Sequence, residues 1–179
     1  MRSGGCQLIM RRLWIVIALL AGCQQALGQI ADARVTRVGR YVWAETAAYF
    51  GGMSGIEISD DGSRFIALSD RGTLRKGDVR REGGVITAFH TTLDTPLHTS
   101  DGSVVGKRTS DSEGLALADD GTVYISFEGL ARVAAFPDVT GPAVRIPRHP
   151  AFIEMQNNSA LEALAVDSDG ALYTMPERS

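Results

Sequence analysis

The sequence predicts an all-β fold of repeated antiparallel units, a β-propeller that is incomplete, with about three blades present. Three observations predict it. The segments Ser54–Gly62, Glu113–Gly121 and Glu162–Gly170 align without gaps, and each closes on Asp-Gly. Each is followed by a second strand-like run, at Arg64–Ser69, Val123–Phe127 and Ala171–Met175. The turn glycines Gly62, Gly121 and Gly170 are spaced by 59 and 49 residues, close to the period of propeller blades.

Each element has its own justification. Alternating apolar residues on either side of Asp-Gly form a β-hairpin pattern. Asp-Gly suits a type I′ turn, in which both central residues take positive φ. The first strand of each repeat is small and apolar on both faces, as an inner strand packed between neighbouring blades must be. The connecting stretches then hold the outer strands, with Gly84–Thr91 and Ala131–Phe136 as candidates. Residues 95–112 are polar, include Asp101-Gly102, and read as a loop. A β-sandwich with similar hairpins is the alternative architecture. Three repeats do not close a ring, because propellers use about 4–8 blades. The sequence stops just past the second strand of the third repeat, so the expectation is a truncated product, a fragment, or a chain completed by a partner.

Residues 1–28 read as a signal peptide and residues 29–179 as the partial propeller domain. Arg11 and Arg12 precede an apolar run from Leu13 to Leu20, a basic region followed by a short hydrophobic one. The run is shorter than the roughly 20 residues a membrane span needs. It leads into Leu20-Ala21-Gly22-Cys23, the pattern of a bacterial lipobox, which makes Cys23 the candidate lipidation site. Ordinary cleavage after Ala26-Leu27-Gly28 is the alternative. Both place the protein outside the cytoplasm, in the periplasm or as an outer-membrane lipoprotein, since Gln24 is not an inner-membrane retention Asp.

Composition excludes several classes. The two cysteines, Cys6 and Cys23, both fall in the leader, so the domain has neither a disulfide nor a Cys-based metal site. Beyond residue 28 there are 15 basic and 21 acidic residues, a net charge of −6. That argues against a nucleic-acid partner, which needs a basic face, and suits a cation-binding surface. His90, His98 and His149 have no ligand spacing, and Gly52-Met53-Ser54-Gly55 lacks the spacing of a nucleophile elbow.

The acidic residues fall in register. The second strand of each repeat ends in Asp70, Glu128 or Glu177, and the first strand of two repeats begins with Glu113 or Glu162. In an antiparallel hairpin the start of one strand lies beside the end of the next, which places Glu113 near Glu128 and Glu162 near Glu177. Successive blades would then line one rim with carboxylates. Hard oxygen donors suit Ca²⁺, and neighbouring carboxylates raise one another's pKa, which suits acid–base work. Arg71, Arg132 and Arg178 accompany the acids and could neutralise them or bind an anionic substrate. Each acid could instead hydrogen-bond backbone N–H groups of the next blade.

Three composite motifs carry a family resemblance. They are Phe50–Gly55 with Ala67–Gly72, Asp111–Ala116 with Ile125–Glu128, and Leu161–Ala165 with Pro176–Arg178. Together they resemble the bacterial phytase-like proteins, also called the esterase-like activity of phytase family, over roughly residues 35–179. The resemblance implies an exported β-propeller related to calcium-dependent phytases that hydrolyse phosphate monoesters at a Ca²⁺-rich channel mouth. It carries over Asp70, Arg71, Glu113, Glu128, Glu162, Glu177 and Arg178. Two departures stand out: the family continues for further blades, and Ala160 stands where a Gly is usual.

The reading is therefore an exported ester hydrolase, acting on phosphoric or other esters. Glu113, Glu162 and Arg71 are its candidate catalytic residues, Asp70, Glu128 and Glu177 its candidate Ca²⁺ ligands, and Arg132 and Arg178 its candidate substrate contacts. Its partner would be a small-molecule ester, with the membrane reached only through the lipid anchor. The rival is a non-catalytic scaffold or binding propeller with an unidentified envelope partner. A lactonase-like hydrolase with one metal held by fewer acids is a third reading.

Overall fold

The computed structural model describes residues 35–47, 50–107, 109–155 and 160–177. The leader, Cys23 and Arg178 lie outside the described residues. The chain divides into residues 1–38 and 39–179, and the description below concerns the second unit. No helix among the described residues is long and apolar enough to cross a membrane.

The unit is all-β and propeller-like, with three antiparallel sheets that do not close. The first is a four-stranded meander of β1 (Met53–Ile58), β2 (Arg64–Ser69), β3 (Thr73–Glu82) and β4 (Val85–Pro96). The second repeats it with β5 (Ser112–Leu117), β6 (Val123–Phe127), β7 (Arg132–Phe136) and β8 (Val144–Arg145). The third is the hairpin of β9 (Leu161–Val166) and β10 (Leu172–Pro176).

The hairpin turns correct one expectation. In the second and third repeats, Ala118 N donates to Thr122 O and Asp167 N to Ala171 O, so each loop has three residues. Gly121 N and Gly170 N donate to Ala118 O and Asp167 O, closing a turn whose fourth residue is the glycine, at φ 88° and 81°. In the first repeat the loop is Asp60–Ser63, one residue longer, with Gly62 N bonded to Ser59 O. The glycine therefore follows the turn's central pair, rather than lying within a two-residue type I′ turn. Aspartate side chains fix the geometry: Oδ1 of Asp61, Asp120 and Asp167 accepts from the backbone N of Ser63, Thr122 and Ala171. All three carboxyls are held below the usual carboxylate range, Asp61 first by the Ser59 hydroxyl and then by Ser63, Asp120 and Asp167 first by these backbone bonds.

The inner strands meet through glycine. A Cβ on Gly55 would lie 2.8 Å from Leu115 Cβ, and one on Gly114 would lie 2.8 Å from the backbone N of Leu164. These are equivalent positions, so blade one meets blade two as blade two meets blade three. Ala163 occupies the same position in the third repeat and is exposed, which is why a side chain is tolerated there.

Two clusters fill the spaces between blades. Leu68, Leu74, Leu97, Leu115, Ile125, Phe127 and Phe136 join the first blade to the second. Ala131, Val133, Ala160 and Leu161, with Phe152 and Leu164 against them, join the second to the third. A third cluster on the first blade is aromatic: Trp43 stacks on Phe89 at 4.8 Å and meets Phe65 edge-on at 5.2 Å. Each fully buried Leu or Phe contributes roughly 1.5–3 kcal/mol by leaving water.

The outer strand predicted at Gly84–Thr91 runs from Val85 to Pro96, and that at Ala131–Phe136 is β7. Strand β3 was not anticipated, because its sequence, Thr-Leu-Arg-Lys-Gly-Asp-Val-Arg-Arg-Glu, has too many charges to resemble a strand. Arg75 on this strand is fully buried, 3.2 Å from Asp94 and over the ring of Phe50. Gly77 admits the backbone of His90, whose carbonyl carbon would lie 2.8 Å from a Cβ.

Candidate functional site

The site begins with a backbone feature that occurs three times. The residue closing the second strand of each repeat donates its N–H across the hairpin: Asp70 N to Gly52 O at 2.7 Å, Glu128 N to Asp111 O at 2.8 Å, and Glu177 N to Ala160 O at 3.0 Å. Each acceptor lies two residues before the start of the predicted acidic position at Ser54, Glu113 or Glu162. At that same place each inner strand carries a β-bulge. The register skips between Met53 and Gly55, between Ser112 and Leu115, and at Glu162, between Ala163 and Leu161. A bulge adds one residue and turns its side chain out of the ladder, so the repeated bulge aims these residues along the rim.

The carboxylates converge as expected and gather one more member. Oxygens of Asp111, Glu113 and Glu128 lie within 4.8 Å of one another, as do those of Glu128, Glu162 and Glu177. Glu128 is common to both groups, so two triads overlap at a buried carboxylate. Its Oε1 accepts a 3.3 Å hydrogen bond from Ala160 N in the next repeat. Burial still raises its pKa, with Asp111, Glu162 and Glu177 adding to the effect. Glu113 is pushed up to about 7, first by burial and then by the charges of Glu162, Asp111, Glu128 and Asp70.

Asp70 and Arg71 stand beside the first triad. Arg71 Nε lies 3.8 Å from Asp70 Oδ1, both side chains being substantially exposed. The backbone of Arg71 bridges to Asp111. Gly52, at φ 60°, leaves room for the Asp70 carboxylate, which would collide with a Cβ there. Hydroxyl groups brace the inner strands from below: Ser54 Oγ donates to Ser112 O at 2.7 Å, and Ser112 Oγ to Ser69 O at 2.8 Å.

Of the sequence-predicted residues, Glu113, Glu128, Glu162 and Glu177 come together, with Asp70 and Arg71 next to them. Arg132 faces elsewhere. Its guanidinium lies 3.8 Å above the ring of Phe127 and donates to Thr109 O at 2.6 Å. Its charged neighbour is Arg148 rather than a rim acid. Asp111 is the residue that sequence reasoning left out of the site, although it opens the motif Asp-Ser-Glu-Gly. Its signal was its place two residues before Glu113, where the hairpin bond of Glu128 falls.

Five carboxylates in two overlapping groups can hold a metal ion. Oxygen donors alone, with the pKa values of Glu113 and Glu128 raised, suit a hard divalent cation.

Antiparallel meanders joined through glycine contacts, with an acidic rim built in register from successive repeats, define a propeller-type domain with a rim-borne site. Residues 48–179 match the family described as Phytase-like, esterase-like activity of phytase. The chain belongs to that family. No individually curated protein matches it.

Proposed function

We propose that the protein is an exported ester hydrolase that binds Ca²⁺ at the carboxylate rim and acts on phosphoric or related anionic esters. The observation that carries this reading is the pair of overlapping triads, with a proton on Glu113 retained to about pH 7. Asp111, Glu113, Glu128, Glu162 and Glu177 would hold the cation. When bound, it would neutralise the rim and polarise an ester oxygen. Binding of the cation would displace the proton that Glu113 otherwise keeps, so the leaving-group oxygen would take its proton from solvent as water adds to the ester centre. Glu162, in the second triad, would accept the proton that the water loses. Arg71, exposed beside Asp70, orients an anionic substrate group at the edge of the rim. Export follows from the basic and apolar leader, and Cys23 would carry the lipid in a periplasm-facing outer-membrane form.

The test is turnover of p-nitrophenyl phosphate and p-nitrophenyl acetate by the purified protein, with Ca²⁺ and with a chelator. Calcium-dependent hydrolysis that drops by about 100-fold or more in Glu113→Gln supports the assignment. Turnover unaffected by the chelator and by Glu113→Gln together with Glu162→Gln refutes it. One observation favours a second reading, a non-catalytic binding propeller: Glu128 is buried and already bonded to Ala160 N, as a structural residue would be. Absence of hydrolysis in the folded, Ca²⁺-loaded protein would favour that reading.

A further inference from the structure

A second cleft lies apart from the acidic rim, between the 98–109 connection and the β6–β7–β8 face of the second blade. It has a volume of about 410 Å³, and Val105, Leu130 and Ala143 contribute to an apolar wall backed by the buried Phe127 and Phe136. Three arginines, Arg132, Arg145 and Arg148, line it, and among the described residues no Asp or Glu does.

The guanidinium groups are held in place by neutral partners. Arg132 donates to Thr109 O at 2.6 Å and to Leu130 O at 3.3 Å. Arg148 donates to Ala131 O at 2.7 Å and to Phe152 O at 3.0 Å. Arg145 donates to Ser100 Oγ at 2.6 Å. Carbonyl and hydroxyl oxygens orient a cation without cancelling its charge. Among the described residues no carboxylate forms an ion pair with any of the three. The concentration is local, since the chain carries a net charge of −3. Burial and the neighbouring Arg148 hold Arg132 down to about 10, so it stays charged at neutral pH while its like-charge repulsion is unrelieved. His98 lines the same cleft, and its Nδ1 is buried without a hydrogen-bond partner.

We infer that this cleft is a binding site for a small organic anion, with a carboxylate or phosphate head held by Arg132, Arg145 and Arg148 and an apolar body lying against Val105, Leu130 and Ala143. A cleft of this size falls within the range of small-molecule sites, which combine apolar walls with a few oriented polar groups. The arginine forks match both head groups, and an anion would remove the repulsion between Arg132 and Arg148. The inference does not depend on the reading of the acidic rim, and without a cation that rim repels anions.

The test is calorimetric titration of the full chain, in the presence of a chelator, with hexanoate and hexyl phosphate. Hexanol and inorganic phosphate serve as controls for the body and the head. At least one of the two amphipathic anions should saturate a single site, and that site should bind both controls weaker by on the order of tenfold or more. Salt should weaken the binding. Arg145→Gln, which gives up only a bond to an exposed serine, should weaken it by on the order of tenfold, whereas Arg145→Lys, which keeps the charge but not the fork, should weaken it less. Arg148→Gln should act in the same direction, with circular dichroism confirming its fold. The preferred anion identifies the head group. The inference is overturned if folded protein shows no saturable binding of either anion, if hexanol binds as well as they do, or if Arg145→Gln leaves affinity unchanged.

Discussion

At the scale of single residues, charge placement separates two environments. Turn aspartates such as Asp61 and Asp120 are stabilised as anions by backbone and hydroxyl donors. Glu113, crowded by four other carboxylates and partly buried, is destabilised as an anion. Its folded-state pKa lies above its ordinary 4.5, so the fold favours the protonated form. The associated stability is present at low pH and is lost as pH rises from about 4.5 through about 7. Glu113→Gln should therefore raise the melting temperature at pH 8 and change it little at pH 5, as thermal unfolding in metal-free buffer would read. Equal shifts at both values would mean that the carboxylate is not crowded. Arg75 supplies a second case. Asp94→Ala removes one charged partner of this fully buried cation, and a loss of roughly 1–3 kcal/mol is expected after allowance for the partial exposure of Asp94. Asp70→Ala, at an exposed pair, should cost less than about 1 kcal/mol. Urea denaturation of the two variants would check the contrast.

At the scale of elements, the hairpins and the pairing of Glu113 with Glu128 and Glu162 with Glu177 were legible in the sequence. Period-two patterning and a strand-ending acid determine both. The bulges were not legible, because a one-residue slip at Glu113 or Glu162 leaves no mark on local composition. Strand β3 was hidden by its charges, which lie mostly on a wet face, and by Arg75, whose burial depends on Asp94 and Phe50 elsewhere in the chain. The cleft arginines were equally hidden. Arg132 was grouped with the rim because it follows Glu128 closely, yet the Phe127–Arg132 pairing turns it to the other side. The blade contacts lead to a further prediction. Gly114→Ala should destabilise by roughly 1–3 kcal/mol, since the backbone of Leu164 stands where the methyl would go. Ala163→Gly, at the equivalent exposed position, should cost only about 0.5–1 kcal/mol from backbone entropy. Denaturant midpoints would compare the two, and equal losses would contradict the close-approach account.

At the scale of the whole molecule, repetition is what builds the rim. One hairpin offers a pair of carboxylates. Two hairpins in register, the second and third, with inner strands brought together by Gly114, bring five carboxylates into two triads that share Glu128, and the first hairpin adds the charge of Asp70. A cation would relieve the repulsion that raises Glu113, and proton and metal would compete for the same oxygens. The most direct test of this account is calorimetric Ca²⁺ titration at pH 8 and pH 6, on the wild type and on the Glu113→Gln, Glu162→Gln double variant. The account predicts saturable binding at pH 8, clear weakening at pH 6 as Glu113 takes up its proton, and loss of binding in the double variant. Absence of binding at pH 8, or binding that the double variant retains, would contradict it.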